Sequence, residues 1–98
     1  MLEWVMTMVF RWDPQKNALL MRERGLCFEQ VVLAVEGGDL LQVIAHPQPA
    51  RYPNQKIMVV AMDGYAFLVP FVQEEDGYFL KTIIPSRKAT REFLGPKE

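Results

Sequence analysis

Apolar and polar positions along this chain change period several times, and each change marks an element. VMTMVFRW (5–12) is β-prone and partly alternating, which predicts a strand. In DPQKNALLMRERG, Asp13 suits an N-cap, Pro14 the first helical position and Gly25 the C′ stop. A helix of about three turns is expected between them, with one apolar side read from Ala18, Leu19, Met21 and Arg22. In CFEQVVLAVEGG, Phe28, Val31, Val32 and Val35 fall at i, i+3, i+4 and i+7, a helical stripe that Gly37-Gly38 ends. LLQVIA (40–45) reads as a strand, and HPQPARYPNQ (46–55), with three prolines that lack an N–H, as an ordered loop. KIMVVAM, Asp63-Gly64 and YAFLVPFV make a hairpin signal. Both runs are nearly continuous apolar, as in a sheet covered on at least one face. Pro70 predicts a bulge or an edge. QEEDG is the next turn, YFLKTII the last strand, and Ser86 the cap of a final helix, RKATREFL, stopped by Gly95-Pro96.

The predicted order is β-α-α-β-β-β-β-α. Short turns between consecutive strands favour an antiparallel meander of four to five strands. Two N-terminal helices and one short C-terminal helix would pack on one face, an α+β fold. At 98 residues, half of them hydrophobic, the chain makes one domain with a proper core. Exposed edges at VMTMVF or around Pro70 would be sticky unless covered, so an oligomer or a hetero-complex is expected.

Charge changes this picture. The net charge is -1, and the sequence pI of about 5.8 argues against general duplex binding. Yet residues 1–76 hold six Lys/Arg and ten Asp/Glu, while residues 77–98 hold five against two. The surplus of cations lies in the last strand and helix. Arg87 and Lys88 would stand in that helix's first turn, where cations oppose the macrodipole. The single cysteine, Cys27, allows no internal disulfide, which fits a reducing cytosol. MLEWVMTMVF lacks the basic start and cleavage site of a signal peptide and is too short to span a bilayer. A soluble, cytoplasmic protein with no membrane partner is expected.

Two stretches resemble the BrnT-like toxins of type II toxin–antitoxin systems. FRWDPQKN followed by RERGLCFEQV looks like that family's opening, and IIPSRKATREF loosely resembles its closing pattern. Together they cover about a third of the chain, at both ends and in order. The family often has Lys-His-Gly where this chain has Glu23-Arg24-Gly25, so that histidine's role does not carry over. The resemblance implies a compact fold related to the RelE-type ribonuclease toxins. It also implies RNA as substrate and a small DNA-binding antitoxin, ribbon-helix-helix in type, as partner.

RNA cleavage by 2′-hydroxyl attack needs a proton acceptor, a stabiliser of phosphate charge and a proton donor for the leaving oxygen. His46 is the only histidine, so a two-histidine ribonuclease is excluded. A cationic site remains. Arg87 and Arg91 are four apart and share a helix face, where guanidinium forks and free N–H groups favour a phosphate. Lys81, on the preceding strand, would add charge, as would Lys88. The proline loop supplies His46, Arg51, Tyr52 and Lys56 within eleven residues, with Tyr52 or His46 for proton transfer. Lys16 would touch RNA or partner. The alternatives are plainer. Arg87 and Arg91 would pair with carboxylates on a neighbouring helix or on an acidic partner, Tyr52 would cover the sheet edge, and Trp12 would pack beneath the first helix. On that reading the chain is an inactive toxin-like binding module or corepressor. Cys27 is expected to pack inertly, Glu74, Glu75 and Asp76 to form a solvated turn, and no cofactor or metal is implied: one Cys and one His make no recognisable zinc site.

Overall fold

The computed structural model describes residues 9–95. Its elements are β1 (Val9–Trp12), α1 (Pro14–Arg24), α2 (Phe28–Glu36), β2 (Leu40–Ala45), β3 (Gln55–Met62), β4 (Tyr65–Glu74), β5 (Gly77–Leu80), β6 (Ile84–Pro85) and α3 (Arg87–Leu94). The first residues of the expected opening strand, 5–8, and Pro96 lie outside the described range. The fold is α+β, with a mostly antiparallel sheet in the order β1-β5-β4-β3-β2 and β6 paired to β4. No described helix is long and apolar enough to cross a membrane.

The helices start and stop where local chemistry dictates. Asp13 accepts a hydrogen bond from Gln15 N at 2.9 Å, and Gly25 closes α1. The apolar side of α1 is not the expected one: it is Leu20 that the helix buries, and Met21 is exposed. Asn17 then joins the two N-terminal helices. Its Oδ1 accepts from Phe28 N at 2.7 Å, and its Nδ2 donates to Glu29 at 2.9 Å. A side chain of α1 thus caps α2, satisfying a first-turn N–H that has no intrahelical partner. Asp63 (φ 56°) and Gly64 (φ 74°) both take positive φ, as a two-residue type I′ hairpin between β3 and β4 requires.

Side-chain alternation in β3 and β4 explains the layering. Met58, Val60, Val69 and Phe71 pack with Leu20, Phe28, Val31, Leu80 and Ile83 on one face, beneath α1 and α2. Val59 and Ala66 point the other way and pack with Ala89, with Leu68 and Phe93 against them. The sequence predicts all three helices on one face; the structure does not place them so. α3 covers the face opposite α1 and α2, because the continuous apolar runs present hydrophobic side chains on both. Burying each such side chain stabilises the fold by roughly 1.5–3 kcal/mol.

The sheet also departs from a simple meander. β1 lies parallel to β5 rather than beside β2, with Val9 opposite Gly77 and Trp12 opposite Leu80. A Cβ on Gly77 would collide with the Val9 carbonyl, so this close approach needs glycine. The expected last strand is two. β5 ends at Leu80 opposite Phe71, and β6 places Pro85 opposite Phe67. Five residue steps on one strand oppose four on the other, which is a bulge. It sits beside Pro70, whose carbonyl accepts from Lys81 N at 2.8 Å. A proline costs least where the ladder is already broken. β4 is central, so Pro70 is not at an edge. The described edges are β1, β2 and the short β6, which pairs with β4 alone.

Candidate functional site

The cationic helix is docked by its own first turn. Ser86 Oγ accepts from Ala89 N at 3.0 Å, the capping bond expected from the sequence. Ser86 N donates to Ala66 O at 3.0 Å, so the helix entrance extends the edge of β6 against β4. Thr90, buried at 5 % exposure, completes the joint: its Oγ1 accepts from Ala66 N and donates to Ser86 O, both at 2.8 Å. With Ala89 and Thr90 turned inward, Arg87, Lys88 and Arg91 are exposed on the outer surface. Among the described residues the one salt bridge joins Arg11 to Glu74 at 3.1 Å, so none of these three cations is held by a carboxylate. Neighbouring-helix pairing, the plain alternative for Arg87 and Arg91, is not what the structure has. Glu74, expected in a solvated turn, is instead the partner of Arg11.

Lys81 belongs to the same side of the sheet. Tyr78 and Leu80 pack with the first core, so Phe79 between them points to the α3 face. The Lys81 ammonium lies 5.4 Å from the Phe79 ring centroid, a cation–π contact. Phe79 had no place among the expected site residues. Its signal was present in the alternation of YFLK, inward at Tyr78 and Leu80, outward at Phe79 and Lys81.

The proline loop forms a second, separate group. Arg51 N and Tyr52 N both donate to Gln48 O, at 3.1 and 3.0 Å, which folds the loop into a tight turn. The His46 and Tyr52 rings meet at 4.4 Å, and the Arg51 guanidinium lies 5.6 Å from the Tyr52 centroid. Gln48 N donates to His46 Nδ1 at 3.1 Å. A neutral imidazole that accepts at Nδ1 carries its proton on Nε2. In this arrangement the Gln48 N–H fixes the orientation of the His46 ring, and the Arg51 guanidinium and Tyr52 hydroxyl beside it can donate to an anion.

The two groups do not meet. The loop ends at Gln55, opposite Val72, whereas α3 is anchored at Ala66, six residues away along β4. At about 3.3 Å per residue the anchors stand roughly 20 Å apart. Lys56 pairs with Phe71 and alternates with Met58, so it points to the α1–α2 face, away from α3. Lys16 is half-buried on α1 and joins neither group. Of the expected site residues, Arg87, Lys88, Arg91 and Lys81 share one face, and His46, Arg51 and Tyr52 form a cluster at the far end. Trp12 stacks on Phe28, the first residue of α2, at 5.5 Å, so its packing partner is the second helix as well as the core below the first. No family model matches the chain, and no curated protein does either.

Proposed function

We propose that this chain is the toxin component of a type II toxin–antitoxin pair, a cytoplasmic BrnT-like endoribonuclease silenced by a small DNA-binding antitoxin. The observation that carries the reading is the surface of α3. Three cations stand exposed on one short helix with no carboxylate partner among the described residues, in a chain whose net charge is -1. Uncompensated cations at a helix start cost free energy unless an anion answers them. On this reading Arg87 and Arg91 grip an RNA phosphate, and Lys81, whose backbone N–H donates to Pro70 O four residues along β4 from the α3 anchor, adds charge farther along the same face. The resemblance at both ends of the chain supports the family.

A second reading is favoured by the spacing of the groups. Tyr52 and His46, the proton-transfer candidates, lie roughly 20 Å from the α3 anchor. An inactive toxin relative that binds RNA or an acidic partner through α3, and persists as the corepressor of its antitoxin, needs no proton transfer there. Induced expression in a bacterial host separates the two. Growth and RNA 5′ ends are followed for wild type and for the Arg87→Ala/Arg91→Ala double variant. The toxin reading expects growth arrest and new RNA ends with wild type, both abolished in a variant that keeps its fold. If wild type leaves growth and RNA untouched, the ribonuclease reading fails and the binding module stands.

A further inference from the structure

The face opposite α3 carries a different surface. α2 turns Phe28 and Val31 fully inward, yet Leu33, two residues on, is 70 % exposed. Leu33 is the ridge between two shallow grooves. On one side, Phe10, Trp12 and Val32 line a largely apolar groove flanked by Glu29 and Glu36. On the other, Leu26, Ala34, Met62 and Phe67 line a second groove flanked by Asp39 and Asp63. Among the described residues, neither groove is lined by a lysine or an arginine. Glu29, Leu33 and Glu36 fall at i, i+4 and i+7, so an apolar ridge lies between two carboxylates along one helix stripe.

We infer that this surface docks a cationic amphipathic helix from a partner protein, with apolar residues straddling Leu33 and Lys or Arg meeting Glu29 and Glu36. The helix-in-groove mode supplies the geometry, and the one-signed rim supplies register and selectivity. The Asn17 amide already orients the Glu29 carboxylate and, as the main cause, holds its pKa below the ordinary value, so its charge is in place before binding. A second copy of this chain is the obvious rival, since α3 is itself a cationic helix. Yet α2 and α3 lie on opposite faces of the sheet, so copies joined through them would stack head to tail. Two copies could not close on each other using both contacts, and the assembly would grow open-ended. A separate chain gives a closed complex. It would also leave the α3 face free, so the inference stands whether or not the chain cleaves RNA.

The test uses the full chain and two synthetic peptides of the same leucine pattern. One carries lysines at the flanking positions and the other carries glutamates. Binding is read by amide chemical-shift mapping and calorimetry. The expected result is saturable binding of the lysine peptide only, with shifts at Trp12, Leu33 and Glu36. Affinity should fall at least tenfold in Leu33→Ser and in Glu36→Lys. Both positions are exposed, so both variants should keep the wild-type fold and unfolding midpoint. No binding, equal binding of both peptides, or shifts centred on Glu74–Asp76 would overturn the proposal. Sedimentation velocity guards against the rival. Concentration-dependent oligomers of wild type, lost in both Leu33→Ser and Arg91→Glu, would make a second copy the occupant and refute the separate partner.

Discussion

Thr90→Val tests how the cationic helix is held. Valine nearly matches threonine in shape, so the change removes one hydroxyl and little else. That hydroxyl accepts from Ala66 N at 2.8 Å in a site where Thr90 is 5 % and Ala66 0 % exposed. Without it the Ala66 N–H has no protein partner and no room for water. A buried donor left unsatisfied costs about 1–3 kcal/mol. The added methyl returns about 0.8 kcal/mol of burial. Ser86 O loses the hydroxyl but keeps its bond from Thr90 N at 3.0 Å, so no second penalty arises there. The expected net loss is about 0.2–2 kcal/mol. For a domain of this size each kcal/mol lowers the Tm by about 4–8 °C. Urea unfolding gives the free energy, and hydrogen exchange at the Ala66 amide gives the cause. Thr90→Ser keeps the acceptor, so its Ala66 amide should stay protected although it loses the γ-methyl that valine keeps. A valine variant as stable as wild type, with Ala66 still protected, would show that this bond does not dock α3.

Two further perturbations probe the frame of the site. Gly77→Ala puts a Cβ within 2.9 Å of Val9 Cβ and against the Val9 carbonyl, so β1 must shift or leave β5; we expect a loss of about 1–3 kcal/mol in urea unfolding, as for other overpacked sites, with Trp12 fluorescence moving toward that of exposed tryptophan. Asn17→Ala should cost about 1 kcal/mol, because Phe28 N loses its cap. It should also raise the Glu29 carboxyl toward the ordinary range, read by carbon NMR titration, since the Asn17 amide is the main cause of its lowered pKa. The sign follows from that direction: a carboxyl lowered in the folded state adds stability above its unfolded value, near 4.5, and the contribution is lost as pH falls through the folded value. Wild type should therefore lose more stability than Asn17→Ala on acidification below that range, by a margin kept small by the full exposure of Glu29.

What could be read from the sequence was local. Asp13, Gly25, Ser86 and the Asp63-Gly64 turn sit within a few residues of the groups they satisfy, so their chemistry announces the element. Pro70 announced the bulge for the same reason, since a missing N–H must fall where the ladder has no use for one. The partner of β1 was not legible: a parallel pairing between Val9 and Gly77 joins positions 68 residues apart, and no short-range pattern encodes it. Nor was the face taken by α3, because an apolar run such as KIMVVAM is consistent with one covered face or two. The split of the site follows from those two gaps. Arg87 and Tyr52 seemed joinable in a linear reading, but the antiparallel order of β3 and β4 puts the loop at one end of the sheet and the start of α3 toward the other.

The same topology gives the net charge its meaning. A total of -1 describes no actual surface of this molecule. The sheet holds an acid-flanked apolar ridge on α2 and, on the opposite side, a cationic helix α3 with no carboxylate partner among the described residues. Contacts at an exposed surface feel mainly the charges within about a Debye length, near 8–10 Å at physiological salt. The sheet and the layers packed on it lie between the two faces, so at physiological salt an ion at one face feels the charges of the other only weakly. An anion approaching α3 therefore meets a basic protein, and a cationic helix approaching α2 meets an acidic one. A weakly acidic pI thus does not count against phosphate binding, because the balance that sets the pI is struck across the sheet and not within either face.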